Sequence, residues 1–183
     1  PAELGRIVAY AIGIGLDPMV MTNGQRLLQR PDYLPCLVRD YGLEKISFHV
    51  DTTQKGRPEW RPGMPEAELH PLRDRFADLI RQTRRQTGRP LHAAMTMTVT
   101  DDNGAGVADV VRWGLANADA VRLLSFLPVA PVGRTIDVGA DLSLEGVWRR
   151  ICAGAGRLLN RDAMHYGHRE CNVTVPVIVA RTG

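Results

Sequence analysis

Apolar positions along the chain switch repeatedly between a helical period and short extended runs, and the switches are marked by glycine and proline. Leu4, Ile7, Val8, Ala11 and Ile12 recur at helical spacing and are followed by Gly13 and Gly15, which predicts an opening helix. Residues 19–21 form a short apolar run ending at Thr22-Asn23-Gly24, the pattern of a buried strand entering a turn. A helix is predicted over 31–41, with Pro31 near its first turn and Gly42 near its end. The next strand, 45–50, is rich in β-branched and aromatic residues and stops at Asp51.

Residues 52–65 carry Gly56, Pro58, Pro62, Gly63 and Pro65, which prevent regular structure and predict a long loop of the kind that often carries function. A long helix over 66–87 follows, with Leu69, Leu72, Phe76, Leu79 and Ile80 on one face and Gly88 and Pro90 closing it. The pattern then predicts a strand over 92–99, a helix over 107–116 and a strand over 120–126 ended by Pro128 and Pro131. Ser143 is a good N-cap for a helix reaching about residue 159, and 173–179 reads as a last apolar strand.

Strands alternating with long helices predict parallel pairing through right-handed crossovers, in an α/β sheet or a partial (β/α) barrel. The expected organisation is one domain over 1–183, with barrel units in 1–135 and a C-terminal helix and strand extension in 136–183. Four or five strands are too few for a complete eight-stranded barrel, so either the sheet is open or the barrel is incomplete on its N-terminal side. A start at Pro1 without an initiator Met fits an internal fragment.

Composition narrows the partners. With 44% hydrophobic and 23% charged residues the chain is globular in type, and no apolar run approaches a membrane span. A net charge of +3 with mixed signs does not argue for nucleic acid. Arg81, Arg84 and Arg85 read as a solvated helix face. Cys36, Cys152 and Cys171 lie far apart, with neither a disulfide framework nor a local metal nest, and the first segment lacks a basic leader. A reducing, cytoplasmic location is expected.

Candidate chemistry lies at the predicted strand ends, where parallel α/β folds bind ligands. Ser47, His49 and Asp51 alternate, so a hydroxyl, an imidazole and a carboxylate share one side of a strand. A core histidine and a loop-capping aspartate remain the alternatives. Thr96, Thr98 and Thr100 form a second alternating polar face, and Arg122 and Ser125 fall on opposite faces of a later strand. Arg134, after Gly133, is a candidate for a substrate anion or a solvent-facing arginine. His165, His168 and Cys171 recur every third residue with ligand atoms suited to zinc or iron, but no fourth ligand is evident and Gly167 suggests an irregular loop, leaving a loop or substrate-contact role.

Met21-Thr22-Asn23-Gly24, Ile46-Ser47-Phe48-His49-Val50-Asp51 one helix later, and Leu124-Ser125-Phe126-Leu127-Pro128 together resemble the radical S-adenosylmethionine (radical SAM) superfamily. Phe126 to Arg134 and Gly167 to Asn172 resemble its methyltransferase-like and lipid-coupling branch. The resemblance implies a partial TIM-like barrel in which Thr22, Asn23, Gly24, Ser47, His49, Asp51, Thr98, Phe126 and Pro128 face S-adenosylmethionine, and Arg134, His168 and Cys171 face substrate. It also implies a [4Fe-4S] cluster, a small-molecule or lipid-like substrate, an electron donor such as a ferredoxin or flavodoxin, and radical methylation or carbon–carbon coupling. The CxxxCxxC cluster motif and the Gly-Gly-Glu strand end of the family are absent, so the cluster ligands are expected outside this chain and the fragment alone is expected to be inactive. The competing readings are a non-catalytic scaffold and a cluster-independent barrel lyase using His49 and Asp51. Its Schiff-base form is disfavoured because Lys45 and Lys55 are the only lysines.

Overall fold

Four of the extended runs become parallel strands, each followed or preceded by a helix that buries its apolar stripe. The structure, a computed structural model, describes residues 3–129, 143–164, 167–168 and 171–180. In chain order the elements are α1 (Leu4–Gly13), β1 (Met19–Thr22), α2 (Gln25–Gln29), α3 (Tyr33–Tyr41) and β2 (Lys45–His49). After the long loop come α4 (His70–Thr87), β3 (His92–Val99), α5 (Val107–Ala116), β4 (Val121–Pro128) and α6 (Leu144–Ala155).

The sheet order is β1-β2-β3-β4 and all three pairings are parallel. Strands that step in one direction through right-handed crossovers place their helices on a single face. Burial follows that rule. Ile46, Phe48 and Val50 of the β2 segment and Ala93, Met95, Met97 and Val99 of β3 are buried with α3, α4 and α5 side chains. The alternate positions Met19, Met21, Leu123 and Leu127 are exposed. Among the described residues one face is therefore helix-covered and the other is helix-free. Among the described residues β1 and β4 each pair on one side only, so the sheet is open and not closed into a barrel.

Several boundaries differ from the pattern-based expectation. The helix expected over 31–41 begins at Tyr33, and a short α2 precedes it because Gly24, at φ +74°, turns the chain directly into a helix. A single 3-10 turn, Glu66–Leu69, opens the expected 66–87 helix. Ser143 Oγ accepts from Gly146 N at 3.0 Å as a helix cap, but α6 ends at Ala155 because Gly156 adopts the left-handed conformation. The strand expected over 173–179 does not form: Pro176 has no N–H to give a ladder, and Val177, Ile178 and Val179 are exposed instead of packed on the sheet.

The basic run on α4 is not a solvated face. Arg81 donates to both Asp119 carboxylate oxygens, at 2.7 and 2.8 Å, and Arg84 donates to the carbonyls of Leu91, Asp119 and Ala120. These arginines brace the C-terminal half of α4 against the entries to β3 and β4. Arg85 alone of the three is exposed.

Candidate ligand-binding site

On the helix-free face, the strand register sets polar side chains in a row. His49 is the Cα partner of Thr96, and Thr96 is the partner of Ser125. Ser47 Oγ and Thr96 Oγ1 lie 2.9 Å apart and both residues are buried. His49 Nε2 lies 2.7 Å from Asp51 Oδ2 and 3.0 Å from Thr98 Oγ1. An ionised carboxylate only accepts, so Nε2 carries the proton and a neutral ring presents Nδ1 as an acceptor. The imidazole is 35% exposed, whereas Asp51 is fully buried.

Asp51 is used up by its own chain. Oδ1 accepts from Thr53 N at 2.9 Å and Thr53 Oγ1 at 2.5 Å, and Oδ2 accepts from Thr98 N at 2.6 Å as well as from His49. Burial pushes its carboxyl up, but the hydrogen bonds from His49, Thr53 and Thr98 outweigh that and hold it below the usual carboxylate range. Asp51 is thus a positioning residue: it fixes the imidazole and ties the loop after β2 to β3.

Behind this row sits a buried ion pair. Arg73 and Glu66, both with fully buried side chains, are joined directly, and Arg73 also donates to Glu66 O at 2.8 Å and Val50 O at 3.0 Å. Glu66 Oε1 accepts from Thr52 N, Thr52 Oγ1 and Asn103 Nδ2. Trp60 Nε1 donates to Thr52 O at 2.8 Å. The loop over 52–65, unconstrained by regular structure, is in this way pinned across the carboxyl ends of β2 and β3.

Arg73 also donates to His70 Nδ1 at 3.1 Å, which requires a neutral His70 protonated on Nε2. Burial first, and the Arg73 charge second, lower the pKa of His70, against smaller opposing contributions from Asp109, Asp74 and Glu66. A lowered folded-state pKa makes the unfolded chain the better proton acceptor. The associated stability is complete above the unfolded histidine value of about 6.5 and is lost as the pH falls from there through the folded value. The urea midpoint should therefore fall between pH 7 and pH 5 more steeply in the wild type than in His70→Gln. Equal slopes would contradict this arrangement.

The remaining sequence-predicted residues divide. Thr22 Oγ1 accepts from Gly24 N at 3.0 Å and Asn23 Oδ1 accepts from Gln25 N at 3.2 Å, so their side chains build the turn. Phe126 packs against the core between β3 and α5–α6, and Pro128 pairs with Val99, both in register with helix-side positions. Ser125, two residues before Leu127, is the β4 hydroxyl in register with the polar row. His168 and Cys171 are exposed, and Cys171 N donates to His168 O at 2.9 Å. Arg134 and His165 lie outside the described residues.

Sequence reasoning missed Arg57, which the loop places beneath the turn after β1. Its NH2 donates to Asn23 O at 2.7 Å and to His49 O, and its Nε donates to Gln54 Oε1 at 2.5 Å. A lone arginine between Gly56 and Pro58 gave no periodic signal. Among the described residues no group of His, Cys, Asp and Glu is arranged to hold a metal ion, and no helix is long and apolar enough to cross a membrane. No family model matches the chain, and no curated protein or solved structure matches it.

Proposed function

We propose that the helix-free face is the S-adenosylmethionine-binding wall of a radical SAM enzyme domain, and that the open sheet is part of a partial barrel whose other strands lie outside this chain. The observation that carries the reading is His49: a half-exposed imidazole anchored by buried Asp51 and by Thr98, at the carboxyl ends of parallel strands where such folds bind ligands. The Thr98 hydroxyl and the acceptor Nδ1 of His49 match the hydroxyl and amino groups of S-adenosylmethionine, and buried Ser47 and Thr96, bonded to each other, back the row. Met21, Leu123 and Leu127 flank this row with exposed apolar surface, which suits a substrate with a hydrophobic portion.

A [4Fe-4S] cluster does not fit the described residues: Cys36 lies in α3, Cys152 is buried in α6, and Cys171 lies in the C-terminal segment. No step is assigned through it. Radical methylation or carbon–carbon coupling, and a ferredoxin- or flavodoxin-type electron donor, follow from the proposed membership alone. The role of this chain is to bind and orient the cofactor and to exclude water from the reacting groups.

Calorimetric titration with S-adenosylmethionine should give saturable binding, weakened about tenfold in His49→Ala, the loss expected when one well-placed hydrogen bond is removed. Circular dichroism should be unchanged, since the ring is partly exposed. Absence of saturable binding, or unaltered affinity in the variant, would sink the proposal. A second reading, acid–base lyase chemistry, draws on the same His49–Asp51 contact of 2.7 Å. Turnover that survives thorough iron removal would favour it.

A further inference from the structure

Arg57 is 5% exposed, yet among the described residues no carboxylate forms an ion pair with it, and its NH1 is buried without a hydrogen-bond partner. Its three bonds go to neutral oxygens: the carbonyls of Asn23 and His49 and the side chain of Gln54. Burying a guanidinium without a carboxylate in contact is costly, and an unmet donor adds to the cost. Glu59 and Asp51 attract it without touching it, Glu59 reaching Arg75 at 3.4 Å and both Asp51 oxygens being occupied by Thr53, His49 and Thr98. By contrast Arg73, fully buried, is joined directly to Glu66. The guanidinium, with its unmet NH1, is set at the ends of β1 and β2, bonded to the carbonyl of the residue that anchors the proposed site.

We infer that Arg57 is the anion anchor of this site, its NH1 receiving an oxyanion, either a carboxylate or a phosphate, of the molecule bound at the strand ends. The inference rests on the proposed function for the ligand's identity but not for its charge. Guanidinium suits the task because NH2 holds the planar group to Asn23 and His49 while NH1, in the same plane, still has donors to give. The turn next to Arg57 is lightly fastened to α2. Lys55 and Gly56 are exposed, and a single 3.4 Å bond from Gln25 Nε2 to Gly56 O links that turn to α2. Exposed Lys55, two residues before Arg57, adds positive charge to the same turn.

The test compares S-adenosylmethionine, 5′-methylthioadenosine, which lacks the carboxylate, and inorganic phosphate, on the wild type and Arg57→Gln. A carboxylate source predicts at least tenfold tighter binding of S-adenosylmethionine than of 5′-methylthioadenosine, a preference lost in the variant. A phosphate source predicts that phosphate raises the wild-type thermal midpoint and leaves the variant unmoved. If no adenosine ligand binds but the phosphate effect depends on Arg57, the proposed cofactor falls and the anchor stands. If the variant keeps both the preference and the phosphate response, the anchor is overturned. Should Arg57→Gln fail to fold, guanidinium nitrogen resonances of the wild type decide: shifts at Arg57 on anion addition support the anchor, and shifts confined to exposed arginines overturn it.

Discussion

Replacing Arg73 with leucine should lower the thermal midpoint by roughly 6 to 20 °C. Removing one member of a buried ion pair costs about 3–5 kcal/mol, because the other charge stays in the interior, and each kcal/mol moves the midpoint of a chain this size by about 2–4 °C. Here the stranded group is Glu66, fully buried, and the carbonyl of Val50 loses a donor at the same time. Glu66 keeps Thr52 and Asn103, which places the loss toward the lower part of that range. The double replacement Glu66→Gln with Arg73→Leu should cost less than the sum of the single changes, because the two groups share one network. Additive losses in a denaturant-midpoint cycle would show that the pair is not coupled as described.

Gly24→Ala should destabilise by about 2–5 kcal/mol, for two separable reasons. The residue sits at φ +74°, where a side chain costs about 1–2 kcal/mol, and overpacking a filled core adds about 1–3 kcal/mol. A Cβ here would overlap the Phe76 ring and meet Phe48 Cδ1 at 3.0 Å, and those two rings stack with centroids 4.4 Å apart. Combining Gly24→Ala with Phe76→Leu should recover at least about 1 kcal/mol of the loss, measured as a coupling energy. No coupling would mean that backbone conformation alone demands the glycine.

The alternation of Ser47, His49 and Asp51 was legible because a strand has a period of two, and the three do act on one face. Their division of labour was not. Which carboxylate is consumed by backbone donors depends on Thr98 and Thr53, and Thr98 is brought in from 47 residues away. The buried ion pair had a faint signal: Glu66 and Arg73 fall on the same helical stripe as Leu69 and Phe76, where a charge is out of place unless paired. Arg57 had none, since it lies in a loop. The α4 arginines were misread as a solvated face because their acceptors, carbonyls at the entries to β3 and β4, exist only after the sheet assembles. The expected last strand failed for a local reason: apolar content alone suggested it, and Pro176 together with the lack of a packing partner removed it.

The helix-free face also explains why Met21 and Leu127 remain exposed in a chain whose opposite face is well covered. Parallel sheets are generally covered on both sides, so a face with no helix on it among the described residues, where His49 is partly exposed beside Met21 and Leu127, suits a ligand better than solvent. The most direct measurement is a crystal structure of the chain soaked with S-adenosylmethionine. Ligand density is expected against His49 and Thr98 on the helix-free face. Density elsewhere, or an empty face at saturating ligand, would contradict it.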